Sequence, residues 1–189
     1  MGIELVDTLQ AQVRRQQRLN ALCAATLRAL SARREVHARG PHWYAGDKAL
    51  PSFAPHLHPQ AQRLAQVNGQ LAQAVSPETL RGAADGIALR LRFSDAQLHR
   101  RLRPERPMAR RVFDLLEQYR AESLVPAQWP GVRSNMAARF TAWSQAFVAA
   151  RLQESAQGLL LLTVAQISRA RVTGEPVLEA LEDMLEATR

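Results

Sequence analysis

Asp95 and His99 stand four residues apart within residues 85–124, DGIALRLRFSDAQLHRRLRPERPMARRVFDLLEQYRAESL. That spacing places a carboxylate and an imidazole on one helix face. Asp114, Glu117 and Glu122 follow in the next helical pattern. A histidine oriented by one carboxylate and facing others has the makings of a divalent-metal ligand set or a proton relay. Acids alternating with arginines such as Arg110 and Arg120 at i,i+3 and i,i+4 are also the ordinary surface of a helix, and this ion-pair reading is preferred. A second grouping lies in residues 33–59, where His37, His42, His56 and His58 occur with Trp43 and Tyr44. In His56-Leu57-His58 both imidazoles can face one side of an extended segment, and neutral imidazole is a common zinc or cobalt ligand. No cysteine pair, H-E-x-x-H or carboxylate at ligand spacing accompanies them. They are read as surface or packing histidines, and no catalytic or metal-ligating residue is assigned.

The elements that must position these groups follow from apolar periodicity. Ile87, Leu91, Leu98 and Leu102 share one face of a helix that opens at Ser76-Pro77-Glu78, with Ser as N-cap and Pro at the first helical position. Pro104 and Pro107 end that helix and open the next, in which Val112, Leu116, Tyr119 and Ser123 form the apolar stripe and Arg110, Asp114 and Glu117 a charged line. Gly82 and Gly86 suit close approach by another helix. Residues 3–32 predict a first helix packed on one side through Leu5, Leu9, Leu19, Leu22, Cys23, Leu27 and Leu30. Residues 33–59, with Gly40, Gly46 and Pro41, Pro51, Pro55 and Pro59, read as a long ordered loop in which 35–39 could form a short edge strand. Residues 60–75 predict a short helix.

After a Pro-rich loop over 125–134 that Trp129 should anchor to the core, Ser134 or Asn135 is expected to cap a long central helix. It carries Met136, Phe140, Trp143 and Phe147 at helical spacing and the apolar run 159–167. Thr173-Gly174-Glu175-Pro176 ends it, and Val177, Leu178, Leu181 and Leu185 mark a last, acidic helix. The fold expected is all-α, an irregular multi-helix bundle with a long Pro/Gly/His-containing loop and room for a small strand pair. Residues 1–174 form its helical domain, and 175–189 an acidic C-terminal helix or the start of a linker.

Composition narrows the function. With 189 residues and 47% hydrophobic content, one domain with a core is the default. The single cysteine, Cys23, cannot form an intramolecular disulfide and fits a reducing compartment. No apolar run has the roughly 20 residues needed to span a bilayer, and the N-terminus lacks the features of a secretion signal, so a cytoplasmic location is expected. Net charge is +8, but the last fifteen residues hold five acids against Arg189, a net of −4, leaving +12 on residues 1–174. Lys48 is the only lysine among the 25 basic residues. Arginine suits bidentate carboxylate or phosphate pairing, which makes a nucleic-acid-binding helical module the first alternative function, although no recognition-helix or aromatic-basic motif supports it. Phosphate-cradling, dinucleotide and nucleophile-elbow motifs are all missing, so neither ATP binding nor ATP hydrolysis is expected of this chain.

The order A-L-R-L-R, then Asp95, His99, Pro104, Ala109-Arg110, Phe113 and Leu116-Glu117-Gln118 with Arg120 and Glu122, resembles the N-terminal region of CobT, the T subunit of the aerobic ATP-dependent cobaltochelatase. The likeness runs over roughly residues 80–137, weakly including Pro130-Gly131-Val132 and Asn135. Ser94, Tyr119 and Trp129 depart from it. The resemblance implies a non-catalytic interaction or scaffold domain that works with an AAA+ ATPase subunit, CobS, and a large chelatase subunit, CobN, in metal insertion into a corrin ring during cobalamin biosynthesis. ATP, magnesium and cobalt would be handled by those partners, with no cofactor in this chain, no membrane and room for a homo-oligomer. The family's C-terminal von Willebrand factor A-like domain and its D-x-S-x-S motif are not found, so the chain is read as the N-terminal domain. On this reading Arg90, Arg92, His99, Arg110, Glu117 and Glu122 are the expected partner-binding residues. The second alternative is a metal- or tetrapyrrole-binding domain, resting on the five histidines.

Overall fold

The computed structural model describes residues 2–39, 42–58, 76–177 and 181–182. Among them, six α-helices surround one main core beside a small sheet: α1 (Gly2–Ser31), β1 (Val36–Arg39), β2 (His42–Ala45), β3 (Lys48–Ala49), α2 (Pro77–Phe93), α3 (Ala96–Leu102), α4 (Pro107–Ser123), α5 (Pro130–Ala149) and α6 (Ala156–Thr173). The fold is mostly all-α, as periodicity predicts. The expected helix at 60–75 and most of the expected last helix lie outside the described residues.

The segment expected to be mainly loop instead carries a three-stranded antiparallel sheet in the order β1-β2-β3. Val36 pairs with Ala45 and Ala38 with Trp43, so Val36 and Trp43 both point into the core. Only two residues, Gly46 and Asp47, join β2 to β3. Gly46 is first of the pair with φ +57, the left-handed conformation that such a hairpin turn demands and glycine adopts freely. A single 3-10 turn, Pro55–Leu57, then drives His56 and Leu57 into the interior.

α2 is the central helix, a position that the aromatic stripe and apolar run assign to the later segment. Every residue from Gly82 to Arg90 is buried. Small side chains explain it, since Gly82, Ala83, Ala84, Gly86 and Ala88 let neighbouring helices approach from several sides. A methyl at Gly82 would stand 2.1 Å from the Asn135 carbonyl oxygen of α5, and one at Gly86 2.8 Å from Leu57. The capping assignment at its start holds: Ser76 accepts a hydrogen bond from the Thr79 amide.

Two expected continuities are broken. The helix predicted to run to Pro104 stops at Phe93, because Asp95 caps a new helix by accepting from the Gln97 and Leu98 amides. This turn redirects Leu98 and Leu102 to solvent, with exposures of 42% and 57%, instead of extending the Ile87/Leu91 face. The long helix expected after 135 is two, α5 and α6, separated where Arg151 takes φ +55 and Ser155 caps α6. α5 itself begins at Pro130, ahead of the expected Ser134/Asn135 cap. In α4 the buried face is Leu115, Gln118, Tyr119, Ala121 and Glu122, one position off the predicted stripe, which leaves Leu116 exposed.

The core joins Cys23, Ala24 and Leu27 of α1 to Ile87 of α2, Leu115 and Tyr119 of α4, Phe140, Trp143 and Phe147 of α5, and Leu162 of α6. Leu22, expected on the packed side of α1, is instead exposed. Burial pushes the Cys23 thiol up to about 11, so it acts as a small apolar side chain. Leu181 also packs into this core. A satellite cluster of Leu89, Val125, Val132 and Met136 is covered in part by Trp129, which anchors its loop as expected. No helix among the described residues is long and apolar enough to cross a membrane.

Candidate functional site

The α2–α3–α4 junction brings together Arg90, His99, Arg103 and Asp114. The Asp95–His99 pair is not formed, because the Asp95 carboxylate is spent on the α3 cap. His99 instead lies 2.8 Å from Asp114 Oδ1 through Nε2, and its ring stacks on Phe113 at 4.8 Å. Arg103 grips the same carboxylate with Nε and Nη2. Arg90 is 3% exposed; Nη1 donates to the Asp114 carbonyl at 3.2 Å, and Nη2 contacts the His99 ring. With His99 Nε2–H donating to Asp114, Nδ1 is left to accept from Arg90. Burial draws the Arg90 guanidinium below its usual range against the opposing pull of Glu117 and Asp114, neither of which is in direct ion-pair contact with it.

A second cluster sits inside the core. Glu122, 2% exposed, receives His56 Nε2 at 3.1 Å and Gln118 Nε2 at 2.9 Å on one oxygen, and Arg169 Nη1 at 3.3 Å on the other. Arg169 continues to Glu175 at 2.6 Å and lies 4.7 Å above the Phe140 ring. Arg139, also buried, donates from Nε to the His56 carbonyl at 2.6 Å, fixing the 3-10 turn. Burial lowers His56, whose ring is therefore neutral at pH 7. Burial raises Glu122, but His56, Arg169 and Gln118 outweigh it and hold the carboxyl below its ordinary value. The arrangement is an Arg169–Glu122 ion pair oriented by a neutral histidine. His56 Nδ1, Gln118 Oε1 and Tyr119 Oη beside it have no hydrogen-bond partner among the described residues.

A cavity of 1010 Å3 opens between the β3 loop, the α2–α3 turn, α4 and the aromatic face of α5. Arg90, His99, Arg103 and Asp114 form part of its wall, while Trp143, Phe147 and Leu161 line its apolar side. Among the described residues, no group of three or more His, Cys, Asp or Glu side chains could hold a metal ion.

A family model described as cobalamin biosynthesis protein CobT matches residues 14–189. The chain belongs to the CobT family. The match extends well beyond residues 80–137, whose motifs carry the resemblance in the sequence. No curated protein and no solved structure matches.

In this CobT-family chain the six residues expected to bind a partner fall into different environments. Arg90 and Glu122 are buried, so neither presents its charge on an open face. Arg92 is exposed, yet its Nη1 donates to the Leu30 carbonyl at the end of α1 and its guanidinium lies 5.5 Å over Trp129. Half-buried Arg110 donates to the carbonyls of Pro104 and Glu105, holding the α3–α4 turn. Glu117, also half-buried, accepts from Arg120 and from Ser94 Oγ; chiefly through Arg120 its carboxyl is drawn down to about 2. Half-buried His99 is committed to Asp114 and Arg90. These charges therefore stitch the helices together as well as facing solvent.

Sequence reasoning does not find the buried set His56, Arg139 and Arg169. A signal exists in the spacing: Arg139 lies three residues after Met136 and four before Trp143, on the buried side of α5. Arg169 follows Leu162, Ala165 and Gln166 in the same way on α6. An arginine in an apolar stripe marks a buried partner carboxylate or carbonyl, but the stripe alone cannot say which.

Proposed function

We propose that the chain is a non-catalytic interaction domain that docks to an AAA+ ATPase subunit in a cobaltochelatase-type assembly, with the ATP chemistry and the metal insertion into the corrin ring carried by partner subunits. The observation that carries this reading is the family match over most of the chain, which supports a role in cobalamin biosynthesis. The docking face we assign is the solvent side of α3 and α4. α3 buries none of its residues. It displays Leu98 and Leu102, one helical turn apart, and α4 displays Leu116 at 45% exposure. Arg92, Arg110 and Glu117 stand on the helices of the same junction. Apolar anchors among charges are the usual make-up of a specific interface, where the anchors supply affinity and the charges steer and select.

The test is capture of the purified ATPase subunit by the full chain. Leu98→Asp with Leu102→Asp is expected to weaken capture strongly while leaving helicity and melting temperature near wild type, because both side chains already face water. Arg92→Glu should raise the salt sensitivity of what capture remains. Undiminished capture by the double leucine variant contradicts the proposal.

A further inference from the structure

The cavity beside the α2–α3 turn has a charge balance that the helix packing does not account for. Arg33, Lys48, Arg90, Arg100, Arg103 and Arg111 line it; Arg33 is paired with Glu35, and the one carboxylate in the wall, Asp114, is already engaged by Arg103 and His99. The side chains of Arg111 and Lys48 make no hydrogen bond or ion pair within the described structure, while that of Arg100 donates only to the Ala96 carbonyl of its own helix. Arg90 is a buried cation whose donors end on a carbonyl and the His99 ring, with the Glu117 and Asp114 carboxylates near it but, among the described residues, not in ion-pair contact. Removing a charge from water without a countercharge in contact is costly, so a cavity wall with more cations than paired carboxylates favours an anion at that wall.

The opposite side is apolar and aromatic. Trp143, Phe147 and Leu161 are core side chains, so the cavity reaches the interior rather than skimming the surface. Phe53 adds a second, independent sign. Its ring lies 5.4 Å under the Arg90 guanidinium, and its backbone takes φ +58, a left-handed conformation that is strained for a bulky side chain. Such strain persists where surrounding structure enforces it, and it gathers at ligand-binding positions. The volume of 1010 Å3 lies at the upper end of the roughly 300–1,000 Å3 typical of small-molecule sites.

We propose that this cavity binds a small organic polyanion: an apolar, ring-bearing body that packs on Phe53, Trp143 and Phe147 and carries two or more carboxylate, sulfonate or phosphate groups that meet Arg90, Arg111 and Lys48. The site is separate from the docking face, since Leu98, Leu102 and Leu116 do not line it.

The experiment is calorimetric titration of the full chain with pyrene tetrasulfonate, a flat apolar body with four anionic groups. One-to-one binding that weakens with salt is expected. Arg111→Gln and Lys48→Gln should each lower affinity about tenfold, the worth of one charge-assisted contact, with melting unchanged. Phe53→Gly removes the ring, so affinity should fall; relief of the strained backbone offsets part of the packing it loses against the core. Inorganic pyrophosphate, with charge but no ring body, and pyrene methanol, with a ring but no charge, should both bind far more weakly. The proposal is overturned if pyrene tetrasulfonate does not bind, if Arg111→Gln and Lys48→Gln leave its affinity unchanged, or if either control binds as tightly. A poly-glutamate peptide that outcompetes pyrene tetrasulfonate would likewise overturn it, by making the cavity a peptide site. Capture of the ATPase subunit is measured separately and depends on other residues, so failure of one proposal does not entail failure of the other.

Discussion

Glu122 is the residue on which most of the interior polar chemistry converges. Its removal leaves buried Arg169 with Glu175 alone and His56 Nε2 without its acceptor, and breaking a buried pair of this kind costs up to about 3–5 kcal/mol. Glu122→Ala is therefore expected to lose that much in urea denaturation. Glu117→Ala, whose partner Arg120 is half exposed, should lose markedly less. The same cluster sets a pH dependence. His56 is held below its usual 6.5 by burial, and Glu122 below its usual 4.5 by its partners. In both cases the unfolded chain takes up protons at a higher pH than the folded one, so the stabilisation is complete above the unfolded values and is lost as pH falls. Stability should begin to decline below about pH 6.5, at up to about 1.4 kcal/mol per pH unit for one group. The decline should steepen below 4.5, where Glu122 and Glu117 join, the latter down to about 2. Denaturation midpoints from pH 7.5 to 3.5 read this out. His56→Gln should flatten the first part of the curve, whatever its effect at pH 7.5.

Helix α2 decides how the other elements assemble, and its glycines give the cleanest check. Gly82→Ala drives a methyl into the Asn135 carbonyl, a backbone atom that cannot rotate away, and overpacking of this kind costs about 1–3 kcal/mol. Gly131, near the start of α5, has nothing within 4 Å of the corresponding position, so Gly131→Ala should be neutral or stabilising by about 0.4–1 kcal/mol. Equal destabilisation by the two would mean that α2 and α5 do not approach as described. In α5, Trp143 is 2% exposed and packs on Phe140 and Phe147 at 5.5 and 5.3 Å. Trp143→Ala should lower stability by about 3–5 kcal/mol. The Trp143 stripe was legible because large apolar residues recur at helical spacing. The centrality of α2 was not, because glycine and alanine carry little hydrophobic signal, although their smallness is what lets two other helices close in. The α2–α3 break was legible in principle: Asp95, with Ser94 before it, is a capping residue standing where the apolar periodicity seemed to continue.

At the scale of the whole chain, helix content and family were readable from the sequence, whereas the routing of charge was not. Spacing on a helix tells which side chains share a face, but not which face turns inward. Arg90 and Glu122, one on α2 and one on α4, look like surface charges by pattern, yet both lie inside because neighbouring helices cover them. The same limit hid the cavity, whose wall is drawn from the β3 loop, three helix termini and the aromatic side of α5, segments far apart in sequence. What remains outward at the α3–α4 junction is Leu98, Leu102 and Leu116 among charges, and the proposed docking rests on that face. Amide hydrogen exchange of the full chain, with and without the purified AAA+ ATPase subunit, tests it most directly. Added protection concentrated in residues 96–102 and the exposed side of 107–117 is the predicted result. Protection confined to α5 and α6, or none anywhere in the chain, would contradict it.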